Sequence, residues 1–195
     1  LQDCAKAAGL NTNFVFMEDI GRDQLGNFTD KKDQVISWLF KLYPWEFMFE
    51  EKFAGLLGHN NVRYLEPPWK SILSNKALMP MLWKMFPNHP NLLASFFEDE
   101  LAQASQFKEL IKKPIFSREG ANISILRDSQ EEVASSGPYG DEGYIYQAMH
   151  ALPKFGDNYT LVGSWLVDDE AAGISIREDS NLVTQDSSRY LPHII

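Results

Sequence analysis

Short apolar runs separated by polar, glycine-containing segments divide the first 66 residues of the chain. A helix over residues 1–11 is expected to stop at Gly9, because glycine readily adopts the left-handed backbone that ends helices. Strands that alternate with a helix favour a parallel, Rossmann-like unit or part of one. The pattern predicts strands over residues 13–19, 35–42 and 62–66, a loop over 21–33, and a helix over 46–57.

The middle of the chain changes to helical patterning. Residues 76–86 predict a helix, with Asn75 as its N-cap and with Pro80 tolerated near its first turn. Residues 98–112 predict a second polar helix or an ordered surface segment. We therefore expect part of a Rossmann-like unit over residues 1–70, followed by a helical linker region over 71–112.

From Lys113 onward, β-forming residues dominate and turn-forming residues separate them. The triplet Asp168-Asp169-Glu170 predicts a hairpin turn, and the Gly- and Ser-rich segment 135–143 predicts a mobile loop. Residues 113–195 are expected to form an antiparallel lobe. The predicted strands cover residues 113–116, 123–126, 144–147, 159–167, 172–177 and 182–184.

Composition and charge limit the classes of partner. The chain has 195 residues, which suffice for one ordinary core or for two small lobes. A net charge of −9 argues against sequence-independent binding of nucleic acid or of an anionic membrane, because both require a basic surface. A compact anionic ligand still fits, since a local cluster of Lys and Arg can oppose the overall sign.

The sequence carries few signals of cellular compartment. Cys4 is the single cysteine, which excludes an internal disulfide framework and a Cys-based zinc cluster. No apolar run approaches the roughly 20 residues that span a bilayer, and no basic-then-apolar leader opens the sequence. We expect a cytoplasmic protein. Because the chain starts at Leu1 without a methionine and ends abruptly at Ile195, we also expect it to be a piece of a longer protein.

The segment 113–122 is the most informative part of the sequence. Lys113 closes an apolar strand, and Arg118 and Gly120 follow in a short loop before the next strand. Glycine lets the backbone approach a phosphate chain closely, and the two cations can neutralise its charge. A strand–loop–strand hairpin with an exposed lysine is the alternative interpretation of these residues.

Lys76 stands near the predicted N-terminus of a helix, where the helix dipole disfavours a cation. An anion held between the lysine and the helix end would resolve this conflict. Lys76 is therefore a candidate for binding an anion.

Taken together, these segments resemble the synthetase half of the glutathionylspermidine synthase family, including its shorter relatives described as acid–amine ligases. The similarity runs over essentially the whole chain, and the family implies an α/β (α+β) ATP-grasp fold preceded by a Rossmann-like pre-ATP-grasp unit. The blocks that carry the resemblance are Glu66-Pro67-Pro68-Trp69-Lys70, Ser74-Asn75-Lys76-Ala77-Leu78-Met79-Pro80, Lys113-Pro114-Ile115-Phe116-Ser117-Arg118-Glu119-Gly120, Gly143-Tyr144-Ile145-Tyr146-Gln147, Leu152-Pro153-Lys154 and Ile176-Arg177-Glu178-Asp179.

The resemblance implies a role for each matching position. It places Lys76 and Lys113 on the phosphates of ATP, with Arg118 as a catalytic cation in a loop that covers them. One position departs from the family, because Leu161 replaces a polar nucleotide contact. The other nucleotide-binding residues implied are Glu119 and Gly120 in the covering loop, Gln147, Ala148, Met149 and His150 in the hinge strand along the adenine edge, and Leu182, Val183 and Thr184 in the pocket wall.

The family also implies Mg²⁺, held by a Glu-x-Asn-Ala-Asp-type segment that these residues do not contain. No metal ligand is therefore assigned. Glu178 and Asp179 could substitute, although an acidic strand end or turn is the simpler interpretation. Glu46 matches a neighbourhood near the peptide and amine substrates and is a weak candidate for attracting a polyamine. His150 could act as a general base, although a satisfied strand histidine is the favoured interpretation.

The sequence thus predicts the C-terminal part of an ATP-dependent carboxylate–amine ligase that forms an amide through an acyl phosphate. The expected partners are ATP and a small acid and amine, with a peptide and a polyamine as candidates, and neither nucleic acid nor membrane. We expect the full-length protein to be active and this piece by itself to be inactive. The alternative is a non-catalytic nucleotide-binding or interaction module on an ATP-grasp fold.

Overall fold

The computed structural model describes residues 1–59, 61–128, 130–133 and 135–194. The chain divides into two compact units, residues 1–72 and 73–195. Among the described residues, no helix has both the length and the apolar character needed to cross a bilayer. The first unit contains helices α1 (Gln2–Ala7) and α2 (Trp45–Glu50), strands β1 (Gly21–Arg22), β2 (Phe28–Thr29), β3 (Trp38–Phe40) and β4 (Arg63–Leu65), and 3₁₀ turns at Met17–Asp19, Ala54–Leu56 and Pro68–Lys70. The short helix α3 (Ser71–Ser74) includes the boundary between the two units.

Strands β3 and β4 of the first unit are parallel, and α2 lies between them in the chain. This β–α–β arrangement agrees with the parallel pairing that the sequence predicted. The core lies at α2, where Trp45 is only 2% exposed. The Trp45 ring packs edge-on against Tyr64 of β4 at 4.9 Å, and the Lys41 ammonium lies 4.2 Å from its centre.

Four predictions for the first unit need correction. The helix predicted over 46–57 ends at Glu50, and a separate 3₁₀ turn follows at Ala54–Leu56. Residues 13–19 are not a strand, since they end in a 3₁₀ turn and Phe14 is 66% exposed. β-forming residues need a neighbouring strand to pack and pair with, so propensity alone does not make a strand. The predicted loop 21–33 contains the β1–β2 hairpin, whose turn is held by Asp23 accepting hydrogen bonds from the backbone N–H of Asn27 and Leu25. The buried strand predicted over 35–42 shortens to β3, of which only Leu39 is buried.

The second unit is built on antiparallel strand pairs, as the sequence predicted for its C-terminal part. Its five-stranded sheet has the order β5-β9-β6-β7-β8, and its four-stranded sheet the order β10-β11-β12-β13. The elements are α4 (Leu78–Met85), β5 (Ser95–Phe97), a 3₁₀ helix (Glu98–Ala104), β6 (Glu109–Pro114), β7 (Ser124–Arg127), β8 (Gln130–Val133), β9 (Tyr144–Ala148), β10 (Lys154–Phe155), β11 (Asn158–Val167), β12 (Glu170–Asp179) and β13 (Arg189–Leu191).

The core of the second unit lies on one face of the five-stranded sheet. Phe96 of β5 and Tyr146 of β9 are opposite each other in the antiparallel register, and both are buried. Leu110 of β6 and Ala104 of the 3₁₀ helix complete this cluster, and Trp83 of α4 packs against it. The sheet is therefore anchored from β5 to β6, the strands that carry the predicted site.

The predicted hairpin turn at Asp168 and Asp169 is confirmed. Both residues have left-handed backbone, with φ of 52° and 64°, and they join β11 to β12. Such a turn suits the twist of a two-residue hairpin, and Asp tolerates the left-handed region better than most residues.

Several boundaries in the second unit differ from prediction. Residues 98–112 form a 3₁₀ helix and then enter β6, so the segment 71–112 supplies two strands to the sheet as well as helix. The strand predicted at 113–116 starts at Glu109, because Leu110 and Ile111 pair with β7 and β9. Residues 182–184 are not a strand; they belong to a loop between β12 and β13. The helix predicted over 76–86 begins at Leu78, after a turn in which the Asn75 side chain accepts the Ala77 N–H at 2.8 Å.

Candidate functional site

Lys76 joins the start of α4 to the loop that follows β6. Its backbone N–H donates to the Ile115 carbonyl at 2.9 Å. Its ammonium donates to the Ser117 carbonyl at 2.6 Å and to the Ser117 hydroxyl at 2.8 Å. Both Ser117 acceptors are neutral oxygens, and the Lys76 side chain is half-buried. The structure thus places Lys76 beside the loop that follows the strand carrying Lys113, and a joint role of the two lysines stays a prediction.

Lys113 is the second-to-last residue of β6, and its side chain is half-buried within the sheet. Its ammonium donates to the Gln147 side-chain oxygen at 2.7 Å. Among the described residues, this neutral amide is the polar partner of the ammonium, and no carboxylate pairs with it. Burial lowers the pKa of Lys113, because removing a charge from water disfavours the protonated form. A cation in such a setting gains from an anionic ligand.

The neighbouring lysine has the opposite environment. Lys112 donates to both carboxylate oxygens of Glu131, at 3.2 and 3.3 Å, and lies over the Tyr144 ring at 4.6 Å. Because successive residues of a strand point to opposite faces, Lys112 and Lys113 differ in partner although they are adjacent in sequence. Local sequence patterning does not reveal this difference in partner, which the pairing of the strands sets.

Gly120 brings the predicted covering loop against the predicted pocket wall. Its φ is +74°, and a Cβ at this position would lie 2.5 Å from the Thr184 carbonyl oxygen and 2.9 Å from Val183 Cγ1. Both the backbone conformation and the close approach therefore require glycine. The Ser135 hydroxyl donates to the Gly120 carbonyl and accepts the Ile123 N–H at 3.0 Å, which holds the loop from the other side.

The predicted hinge segment continues from β9. Gln147 is buried, Ala148 and Met149 are half-buried, and His150 is exposed. The Ala148 N–H donates to the Ala94 carbonyl at 2.8 Å and the Met149 N–H to the Glu109 carbonyl at 3.2 Å. An adenine edge that contacts this segment therefore meets backbone atoms other than these two amides. Leu161, the departure from the family pattern, is 38% exposed on β11.

A cavity of about 870 Å³ lies beside the covering loop. Arg118 and Glu119 line it on one side, and Gln185 and Asp186 on another. Neither Lys76 nor Lys113 is among the described residues that line it. The structure therefore brings the predicted residues together in two groups. The first contains Lys76, Lys113 and Gln147 around the end of β6, and the second contains Arg118, Glu119, Gly120, Val183 and Thr184 around the loop.

The acidic pair at the end of β12 has structural partners. Glu178 forms an ion pair with Arg189 at 2.6 Å. Asp179 accepts the Ser188 hydroxyl and the Asn181 N–H, and these hydrogen bonds lower the pKa of Asp179. These contacts fit an acidic turn that closes the loop between β12 and β13. Within the described parts of the chain, no group of three or more His, Cys, Asp or Glu side chains is arranged to hold a metal ion.

Three residues of the site carried no usable sequence signal. Ser117 lies inside the informative segment 113–122, but nothing marked it as the partner of Lys76. Ser95 lies outside the predicted elements and contacts Gln147, whereas Ser135 lies in the predicted mobile loop and contacts the covering loop. A serine becomes informative only when its neighbours in space are known.

Comparison with known proteins covers the whole chain. Residues 1–195 match the family described as "Glutathionylspermidine synthase preATP-grasp". The chain is 41% identical over 201 residues to a Haemophilus influenzae protein named "Putative acid–amine ligase", and the match covers 99% of this chain and 51% of that protein.

Two further relatives are synthetases. The chain is 30% identical over 206 residues to "Trypanothione synthetase" of Crithidia fasciculata, covering 92% of this chain and 31% of that protein. It is 29% identical over 222 residues to "Bifunctional glutathionylspermidine synthetase/amidase" of Escherichia coli, covering 100% of this chain and 35% of that protein.

The chain thus spans about half of the Haemophilus relative and about a third of the other two. All three relatives bear the names of ligases or synthetases, which supports a ligase-type function in general. The match over all 195 residues confirms the resemblance that the motifs indicated: the chain belongs to the glutathionylspermidine synthase preATP-grasp family.

Proposed function

We propose that this chain supplies the nucleotide-binding part of an ATP-dependent carboxylate–amine ligase with an ATP-grasp fold. The observation that supports this most strongly is Lys113, a half-buried cation that has a neutral partner among the described residues. A polyphosphate would compensate that charge. The ligase and synthetase names of the relatives give the reaction class.

The proposed reaction has two steps. An oxygen of the substrate carboxylate attacks the γ-phosphorus of ATP, forming the acyl phosphate as the bond to ADP breaks. The amine then attacks the acyl carbon, inorganic phosphate leaves with the C–O bonding electrons, and the amine loses a proton. Phosphoryl transfer requires mainly positioning and charge neutralisation from a protein.

The residues of the site have distinct roles in this proposal. Lys113 and Lys76 bind the phosphates from the end of β6 and the start of α4, where the structure holds their side chains. Arg118, at the exposed tip of the loop, stabilises the transferring phosphoryl group. Glu119 and Gly120 form the covering loop, which excludes water from the acyl phosphate.

The adenine is proposed to lie along Gln147, Ala148, Met149 and His150, against residues 182–184. The nucleotide would then lie between these segments, and Leu161 would give its edge an apolar contact in place of a polar one. This assignment rests on the family resemblance, and it is consistent with the contact between Gly120 and residues 183–184.

We propose that ATP binds together with Mg²⁺. The protein ligands of this ion would lie in the part of the relatives' sequences that this chain does not cover. Among the described residues we assign no ligand to it.

The acid and amine are proposed to be small molecules, with a peptide and a polyamine as candidates. Glu46, a half-buried residue of α2, is a weak candidate for attracting the amine. A cytoplasmic location is part of the same proposal.

Calorimetric titration of the full-length protein with a non-hydrolysable ATP analogue tests the nucleotide site. We expect Lys113→Met to weaken binding about tenfold or more, because it removes a charge-assisted contact to phosphate. Lys112→Met is the matched control: this adjacent lysine pairs with Glu131 on the other face of the sheet, and its loss should leave the affinity unchanged. Equal affinity of wild type and Lys113→Met would refute the proposed phosphate contact.

The reaction itself is tested by measuring ADP release with panels of acids and amines, including glutathione and polyamines. Release that depends on both an acid and an amine supports the ligase. Nucleotide binding without release for any pair would favour the alternative, a non-catalytic nucleotide-binding or interaction module on the same fold.

A further inference from the structure

A chain of hydrogen bonds crosses three adjacent strands behind Lys113. Its ammonium donates to Gln147 Oε1 at 2.7 Å, Gln147 Nε2 donates to Ser95 Oγ at 3.0 Å, and the Ser95 hydroxyl donates to the Leu93 carbonyl at 2.9 Å. These hydrogen bonds therefore run from β6 through β9, the strand between them, to β5 and end on a backbone oxygen.

The sheet register explains why these side chains meet. Ser95 lies directly opposite Gln147 across β5 and β9, and Ile111 lies opposite Gln147 across β6 and β9. Lys113 is two residues from Ile111, so it is the diagonal neighbour of Gln147 on the same face. Directly opposed and diagonal side chains are within reach of one another in an antiparallel sheet.

The donor-to-acceptor direction of these hydrogen bonds fixes the orientation of the Gln147 amide. Its oxygen faces a group that can only donate, and its nitrogen faces a serine oxygen whose own hydrogen is directed to Leu93. Gln147 is 8% exposed and Ser95 1%, so water competes little for these bonds. A buried amide with satisfied hydrogen bonds at both ends holds its partner in one place.

The neutrality of the amide matters as much as its position. An amide oxygen holds the ammonium but leaves its charge uncompensated, whereas a carboxylate at the same distance would neutralise it. Lys112, which pairs with Glu131, shows in this same sheet how a lysine is compensated. A glutamine beside Lys113 therefore keeps the cation available for an anionic ligand.

We propose that Gln147 and Ser95 are positioning residues, which hold the Lys113 ammonium in place and keep its charge available to the phosphate groups of the nucleotide. This inference rests on the proposed function. It gives the Gln147 side chain a role separate from any backbone contact to adenine, so one residue would connect the recognition of the base to that of the phosphates.

The deciding variant is Gln147→Glu, which preserves the size of the side chain and adds a charge. Binding of a non-hydrolysable ATP analogue and of adenosine is measured by calorimetry on the full-length protein. We expect about a tenfold or greater loss of affinity for the ATP analogue, since the new carboxylate competes with phosphate for Lys113. Affinity for adenosine, which carries no phosphate, should fall much less than affinity for the ATP analogue, although Gln147 also lies in the proposed adenine segment. A merely structural role would lower both affinities together.

Ser95→Ala is the second variant, because it removes one hydrogen-bonding group without adding charge. It should weaken binding of the ATP analogue by about threefold, as expected for one neutral hydrogen bond, and leave the adenosine affinity unchanged. Ser95→Thr, which retains the hydroxyl, should restore wild-type affinity for the ATP analogue. Ser95→Ala also provides the test if Gln147→Glu fails to fold.

The outcomes separate the two proposals. If Lys113→Met loses affinity for the ATP analogue while Gln147→Glu and Ser95→Ala bind it as wild type does, the positioning role is overturned and the nucleotide site stands. The positioning role is also overturned if these variants lose affinity for adenosine to the same extent. If wild type and Lys113→Met bind equally, the nucleotide site fails and the positioning role fails with it.

Discussion

Replacing Gly120 by alanine tests the contact between the covering loop and residues 183–184. The left-handed backbone at φ +74° costs a non-glycine residue about 1–2 kcal/mol. The added Cβ would also lie 2.5 Å from the Thr184 carbonyl oxygen, closer than such atoms approach, so one backbone segment must move. Overpacking of this kind costs about 1–3 kcal/mol. We therefore expect Gly120→Ala to lower the free energy of unfolding by about 2–5 kcal/mol.

Gly156→Ala is the matched control, in the same unit of the chain. Gly156 also has left-handed backbone, with φ +58°, but a Cβ there meets nothing within 4 Å. Its substitution should cost about 1–2 kcal/mol, the conformational contribution alone. The difference between the two variants isolates the clash with Thr184.

Urea denaturation followed by circular dichroism gives both free energies of unfolding. Gly120→Ala should have the lower unfolding midpoint, with the difference between the variants equal to about 1–3 kcal/mol. Equal destabilisation of the two variants would refute the reasoning, because it would mean that the covering loop does not pack on residues 183–184. If neither variant lowers the free energy of unfolding, the left-handed backbone conformation of the two glycines is refuted as well.

Three further predictions concern stability. Because burial lowers the pKa of Lys113, the folded chain releases this proton at lower pH than the unfolded chain. The stability of wild type relative to Lys113→Met should therefore rise with pH in the window below 10.5. A difference in unfolding midpoint between the two proteins that does not change with pH would contradict this. Asp179→Asn replaces a carboxylate that accepts the Asn181 N–H and the Ser188 hydroxyl by an amide with one accepting oxygen. It should lower the free energy of unfolding, measured by urea denaturation, by about 1–2 kcal/mol, whereas the same substitution at the exposed Asp186 should lower it little. Trp45→Ala should cost about 3–5 kcal/mol, since Trp45 is 2% exposed and packs on Tyr64; a loss below 1 kcal/mol would show that α2 is not anchored there.

The sequence by itself determined the family, the strand–helix–strand alternation of the first unit and the tight turn at Asp168. These features depend on local chemistry: turn residues adopt left-handed backbone, prolines and glycines end elements, and an ordered series of motifs is specific. It also identified Lys76 and Lys113 as candidate cations, because their neighbours in sequence matched the family's motifs. Their role on phosphate stays a prediction.

Strand boundaries could not be predicted in the same way. Residues 13–19 have strand-forming side chains but no strand, whereas 109–112 form a strand that the sequence assigned to a helix or surface segment. A strand is completed by its partners, and those partners are distant in the chain. The β-forming residues 182–184 predict a strand, although their neighbours in space are Gly120 and a turn closed by Asp179.

The tertiary structure alone decided which side chains meet. It placed Gln147 between Lys113 and Ser95, residues that are 34 and 52 positions away in the chain. It also gave Lys112 a carboxylate partner and Lys113 a neutral one, although the two are adjacent. The physical reason is that a side chain's charge environment depends on the face and register of its strand, which long-range pairing sets and local sequence does not.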